Sequence, residues 1–240
     1  DLIALDAASG GTVWQKNLSA PLRAAPTVAD GRVFVITYDN RLFAVDAAGG
    51  DILWIHEAII ESAGLLGAAV PAVSGDLVVA SFSSGEVVAL RVENGRQAWA
   101  DSLIFQGRMG ARTNLSDVDA SPVIDRGLVI AISQSGRLVA VDLRSGLRLW
   151  DQEIPSTQMP WVAGDYIYIV TVDAEVVCLR RGDGRIRWVT SLPRFEDPEE
   201  REGLILWSGP VLAGDRLVVT ASDGVALAIS LLGSTSRLLP

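Results

Sequence analysis

Gly136–Trp150 reads GRLVAVDLRSGLRLW, and this stretch decides the fold. An apolar, β-branched run ends at Asp142, Ser145-Gly146 marks a tight turn, and a second short run closes on Trp150. Strand, turn, strand is the direct reading. The same phrase recurs at 1–14 (DLIALDAASGGTVW), 41–54 (RLFAVDAAGGDILW), 86–99 (EVVALRVENGRQAW) and 175–188 (EVVCLRRGDGRIRW). A sixth copy, VALAISLLGSTSRLL, follows Gly224 and carries Leu238 where the others have Trp. Trp14, Trp54, Trp99, Trp150 and Trp188 are separated by 40, 45, 51 and 38 residues.

Ahead of each phrase except the first lies a second shared stretch: APTVADGRVFVIT, VPAVSGDLVVASF, SPVIDRGLVIAIS, PWVAGDYIYIVTV and GPVLAGDRLVVTA. Each reads as a short strand, a Gly/Asp turn and a longer strand of β-branched and apolar residues. The complete unit is therefore four short strands in a period of about 40 to 50 residues, which predicts an all-β chain of four-stranded antiparallel propeller blades. Helical repeats need helices and mostly shorter periods, and nothing here has a 3.6-residue period. Residues 1–16 supply half a blade; further blades are expected over 24–57, 69–100, 120–153, 158–190 and 208–240. The chain thus reads as one domain of about five and a half blades. Asp1 falls in the middle of a repeat, so a longer parent protein is expected.

Composition agrees. The 240 residues are 49% hydrophobic and 20% charged, with a mean hydropathy of +0.32, yet no run reaches the roughly 18 to 20 apolar residues of a membrane helix. Propeller blades stack face to face, so strands such as LVVAS, LVIAI and YIYIV are covered on both sides and need not alternate with polar residues. A net charge of −9, acidic in both halves, gives no basic surface for nucleic acid. The single Cys, Cys178, excludes an internal disulfide and reads as a core residue. His56 is the only histidine, which argues against His-rich zinc sites and a Ser-His-Asp triad.

The units resemble the pyrroloquinoline-quinone-like propeller repeat, Gly-x-Leu-x-Ala-Leu-Asp-x-x-x-Gly-x-x-x-Trp, over essentially the whole chain. Within that superfamily, LSDVDASPV at 115–123 followed by the phrase ending at Trp150 resembles the BamB-like outer-membrane protein assembly factors. The resemblance implies an eight-bladed parent and a non-catalytic scaffold of the β-barrel assembly machinery with no cofactor. It places that scaffold at the periplasmic face of the outer membrane of a Gram-negative bacterium, lipid-anchored through a segment outside this chain. It implies BamA-like POTRA domains as partner, with unfolded outer-membrane proteins as a further one, and assigns partner contact to Asp117 and Asp119. A second contact loop of the family, leucines followed by an arginine, matches AGLLG at 63–67, which offers Leu65 and Leu66 as apolar anchors. Leu66 occupies the arginine position, so a salt bridge there is not expected.

Loop lengths point to the same residues. Connections between blades emerge on the face that carries the turn between second and third strands. The long ones are 57–70, 101–119 and 191–207, against a short one near 154–159, and long loops in compact domains are often functional. The first two hold Leu65, Leu66, Asp117 and Asp119, an apolar centre with charges beside it. Asp117 and Asp119 flank Val118 and also suit a turn ahead of a strand. The repeated Trp residues are expected to pack between blades, because five of them cannot all face one axial ligand. Trp161 and Trp207 lie outside the repeat, and EDPEERE at 196–202 reads as a solvated loop. Two alternatives stay open: a quinone-dependent dehydrogenase on the same fold, and a sensor or adhesion propeller.

Overall fold

The computed structural model describes residues 1–22, 24–59, 69–104 and 120–237. Leu65, Leu66, Asp117 and Asp119 lie outside these residues. Every regular element among them is a β-strand.

The chain opens with a hairpin, β1 (Leu2–Leu5) with β2 (Thr12–Lys16), and then builds four-stranded antiparallel meanders. The first comprises β3 (Thr27–Ala29), β4 (Arg32–Ile36), β5 (Arg41–Asp46) and β6 (Ile52–Glu57). The second comprises β7 (Ala72–Ser74), β8 (Leu77–Ser81), β9 (Glu86–Arg91) and β10 (Gln97–Ser102). The third is β11 (Val123–Asp125), β12 (Leu128–Ile132), β13 (Arg137–Asp142) and β14 (Arg148–Glu153), and the fourth is β15 (Trp161–Ala163), β16 (Tyr166–Val170), β17 (Glu175–Arg180) and β18 (Ile186–Ser191). A separate hairpin, β19 (Phe195–Asp197) with β20 (Glu202–Leu204), precedes the fifth: β21 (Trp207–Ala213), β22 (Arg216–Ala221), β23 (Ala226–Ser230) and β24 (Thr235–Arg237). The innermost strands β3, β7, β11, β15 and β21 lie side by side, as the blades of a propeller do.

Burial explains the hydropathy. In β8 all five residues are buried, and β4, β5, β9, β12, β13, β16 and β17 each bury four in succession. Alternate residues of these strands enter the cores on either side: Val33 and Val35 face Leu2 and Leu18 of the opening segment, while Phe34 and Ile36 face Val78, Ala80 and Phe82 of the second sheet. The outer strands β14 and β18 instead alternate along their length, with one face turned to water.

The outer hairpins carry the joint between blades. Each repeated Trp reaches the turn between third and fourth strands of the next sheet and donates its indole N–H to a backbone carbonyl there. Trp14 donates to Ala47 at 2.9 Å, Trp54 to Val92 at 3.0 Å, Trp99 to Leu143 at 2.7 Å, Trp150 to Arg181 at 2.9 Å and Trp188 to Leu231 at 2.9 Å. Each ring lies over a glycine of that turn: Gly50, Gly95, Gly146, Gly184 and Gly233. A Cβ on Gly95 would stand 2.7 Å from the Trp54 ring, and Gly95 also has φ +70°, so conformation and contact both call for glycine. The turn itself is wired locally. Asp142 accepts hydrogen bonds from the Ser145 hydroxyl and amide, at 2.7 and 2.8 Å, and these hold its carboxyl below the usual range.

Candidate protein-interaction face

In an up-and-down meander that leaves one blade by its outer strand and enters the next by its inner one, the linkers and the turns between second and third strands share one face. Backbone hydrogen bonds record this directly. Ala58 donates to Asn40 O at 2.9 Å, Leu103 to Gly85 O at 2.8 Å, and Leu192 to Ala174 O at 2.8 Å, each joining the exit of an outer strand to the inner turn of its own sheet. Asn40 has φ +57° and Ala174 φ +58°, the left-handed conformation that aims these carbonyls at the linker.

Side chains extend the stitching from blade to blade. The Asn40 amide donates to Ile59 O at 2.8 Å and to Ser83 Oγ at 2.9 Å, which ties the turn of the first sheet to that of the second. Glu86 accepts from Ser84 Oγ at 3.1 Å and from Ile59 N at 3.3 Å. The amide of Val70 donates to Ser121 Oγ at 2.9 Å, although the two residues are 51 apart in sequence. Val70 ends one long connection and Ser121 ends the next, so this bond joins the roots of both.

This face is also studded with apolar side chains. Ile59 and Ile104 on the linkers, Met159 between the third and fourth sheets, Tyr38 and Val172 in inner turns, and Leu206 before β21 are all exposed. Turns and linkers tend to be polar, so a set of exposed apolar side chains on this face marks it as a candidate contact surface. The opposite end, made of the other two turns of each sheet, carries ion pairs such as Arg181–Asp125, Arg181–Asp165 at 3.7 Å and Arg91–Asp76, together with exposed Leu147, Leu231 and Leu232. Sequence reading did not find the stitching residues Asn40, Ser83, Glu86 and Ser121. Asn40, Ser83 and Glu86 are marked only as polar residues beside a Gly/Asp turn, and Ser121 only as a serine before a proline.

The remaining single residues fall into place. His56 is partly buried on β6 near the linker end, its ring centroid 6.1 Å from that of Phe82, and burial lowers its pKa while Glu86 pulls it back up. Cys178 is buried on β17, where desolvation pushes the thiol up to about 11. Trp161 packs beside the core shared by the fourth and fifth sheets, and Trp207 enters that core with its indole N–H donated to Pro193 O at 2.7 Å. The segment 196–202 does more than loop through solvent: Asp197 accepts from the amides of Glu199 and Glu200, at 2.9 and 3.0 Å, and closes a hairpin.

Comparison with known proteins follows the same lines. The family model described as outer membrane protein assembly factor BamB matches residues 1–190. The chain belongs to the BamB family. BamB of Yersinia pestis is 27% identical over 259 residues, covering 95% of this chain and 66% of its own length. BamB of Escherichia coli K12 is 31% identical, covering 92% of this chain and 67% of its own length. The crystal structure of BamB from Moraxella catarrhalis superposes with a TM-score of 0.86 at 24% identity, covering 99% of this chain and 70% of that one. The chain spans about half to two thirds of the length of the curated BamB relatives it matches.

Proposed function

We propose that this chain is the docking part of a non-catalytic scaffold that assists assembly of outer-membrane proteins and binds BamA-like POTRA domains through the linker face. The reading draws on membership of the BamB family and on one observation of geometry, the Val70–Ser121 hydrogen bond. Leu66 precedes Val70 by four residues and Asp119 precedes Ser121 by two, so the bond lies at the root of both segments that carry the contact residues inferred from sequence. Leu65 and Leu66 would supply apolar burial, Asp117 and Asp119 the charge, and the exposed Ile59, Ile104 and Tyr38 further apolar surface on the linker face. Catalysis has no part in this reading. The scaffold would work at the periplasmic face of the outer membrane, held there by a lipid anchor on another part of the full-length protein. Unfolded outer-membrane proteins would be a secondary partner, engaged by β-augmentation at blade edges.

The test is calorimetric titration of the chain with the isolated POTRA region of its cognate BamA. Wild type should bind, and Asp117→Ala with Asp119→Ala, or Leu65→Ala with Leu66→Ala, should weaken binding at least tenfold, the order of effect of removing central contacts. Absence of wild-type binding, or binding indifferent to both pairs, overturns the reading.

A further inference from the structure

The β19–β20 hairpin is an insertion: the linker between the third and fourth sheets has no such element. Its base is closed on itself and fixed to the fifth sheet. Ile205 N donates to Arg194 O at 3.0 Å, Leu206 N to Ser222 Oγ at 3.0 Å, Ser222 N to Leu206 O at 2.9 Å, and Trp207 Nε1 to Pro193 O at 2.7 Å. Between this anchored base and the turn from β22 to β23 of the fifth sheet opens a cleft of about 630 Å3. Phe195, Ile205, Trp207, Val225 and Leu227 line it, together with two carboxylates, Glu196 and Asp223.

Charge selects the occupant. The hairpin and its neighbouring turn carry Glu196, Asp197, Glu199, Glu200, Glu202 and Asp223 against Arg194 and Arg201, and Arg194 is engaged with Asp173 at 3.4 Å. Among the described residues neither Glu196 nor Asp223 has an ion-pair partner. An apolar ligand alone would leave these carboxylates unanswered, and a small cation would leave the partly exposed Phe195, Val225 and Leu227 bare. An extended peptide that presents an apolar side chain next to Lys or Arg answers both. By contrast, the cleft of about 570 Å3 at the opposite end is lined by charges of both signs, Asp76 and Glu93 with Arg91 and Arg96, and Arg91 pairs with Asp76.

We propose that the cleft between the β19–β20 hairpin and the fifth sheet binds a basic, apolar peptide segment of a partner protein. All the residues that line the cleft come from the hairpin with its base and the fifth sheet, and the proposal does not rest on POTRA binding. The test uses a dye-labelled peptide, acetyl-Gly-Ser-Leu-Lys-Leu-Arg-Ser-Gly-amide, titrated with the chain and read by anisotropy. Binding should saturate below about 1 mM. It should weaken at least tenfold when Glu replaces Lys and Arg in the peptide, or Ser replaces both Leu. In the protein, Glu196→Gln with Asp223→Asn should weaken it at least tenfold. Asn keeps an oxygen for the Val225 amide, which Asp223 accepts at 3.0 Å, so the turn is preserved. Asp117→Ala with Asp119→Ala should leave peptide binding unchanged, which separates this site from the POTRA reading. No saturation by 1 mM, equal binding of the charge-reversed peptide, or indifference to the Gln/Asn pair overturns the proposal.

Discussion

Trp99 lies so close over Gly146 that a Cβ on the glycine would stand 2.6 Å from Trp99 Cβ and Cγ. The two residues belong to neighbouring sheets, and the Trp99 indole N–H bonded to Leu143 O locks the same turn. Gly127 offers a control, with φ +79° against +71° at Gly146 but nothing within 4 Å of its virtual Cβ. Gly127→Ala should cost only the left-handed strain, about 1 to 2 kcal/mol. Gly146→Ala should cost about 1 to 3 kcal/mol more, the usual range for overpacking. Urea titrations with matched m-values decide it. Equal losses in the two variants would remove the blade latch from the account of stability.

The indole hydrogen bonds differ in their exposure to water. That of Trp99 is buried, with Leu143 8% exposed, whereas that of Trp188 to Leu231 is exposed. Trp→Phe at either position removes the donor and a similar volume. At Trp99 the carbonyl of Leu143 is left without a partner away from water, a penalty of about 1 to 3 kcal/mol. At Trp188 water replaces the donor. Trp99→Phe should therefore destabilise more than Trp188→Phe by at least about 1 kcal/mol in thermal or urea unfolding.

Arg148 on β14 reaches back across the blade boundary to Asp101 on β10. Its guanidinium bonds both carboxylate oxygens, Nη2 to Oδ1 at 2.5 Å and Nε to Oδ2 at 3.1 Å, and Nη2 also meets Ser102 O at 3.0 Å. Both side chains are mostly covered, while those of Arg91 and Asp76 are 51% and 75% exposed. A double-mutant cycle on Arg148 and Asp101 should give a coupling of about 1 kcal/mol, against near zero for Arg91 and Asp76. Arg148→Lys should not rescue it, because an ammonium cannot make the two-pronged contact.

The fold was legible because its signals are local. Strand runs, the turn at Ser145-Gly146 and the Trp four residues later sit within fifteen residues and repeat, so each copy corroborates the others. The acceptors of the indole N–H groups were not legible, since Leu143 lies 44 residues beyond Trp99 and offers only a backbone carbonyl. The β19–β20 hairpin escaped for a different reason. Its strands are three residues long and largely exposed, with no alternation to read, and it exists through Asp197 capping the turn and its anchored base. Leu65, Leu66, Asp117 and Asp119 came from resemblance and loop length. The stitching that brings the ends of their segments together, Val70 to Ser121, pairs an amide with a serine that no motif marks.

Cys178 and Tyr168 oppose each other across β16 and β17, both buried in the core between the fourth and fifth sheets. Burial is the largest cause in each case: it pushes the thiol from 9.0 up to about 11, against the pull of Arg187 and the Tyr168 hydroxyl, and the phenol from 10.0 up to about 12. Both groups hold their protons more tightly folded than unfolded. Their contribution to stability is thus complete well below pH 9, where neither state ionises, and is lost as the unfolded chain ionises and the pH climbs through the folded values. The urea midpoint should fall between about pH 9 and pH 12, and Cys178→Val should flatten the lower part of that fall. At neutral pH the native thiol should resist iodoacetamide and react only on unfolding, since the thiolate is the nucleophile. A midpoint that does not decline above pH 9, or a thiol alkylated at the same rate in native and unfolded protein, would contradict the buried, neutral Cys178.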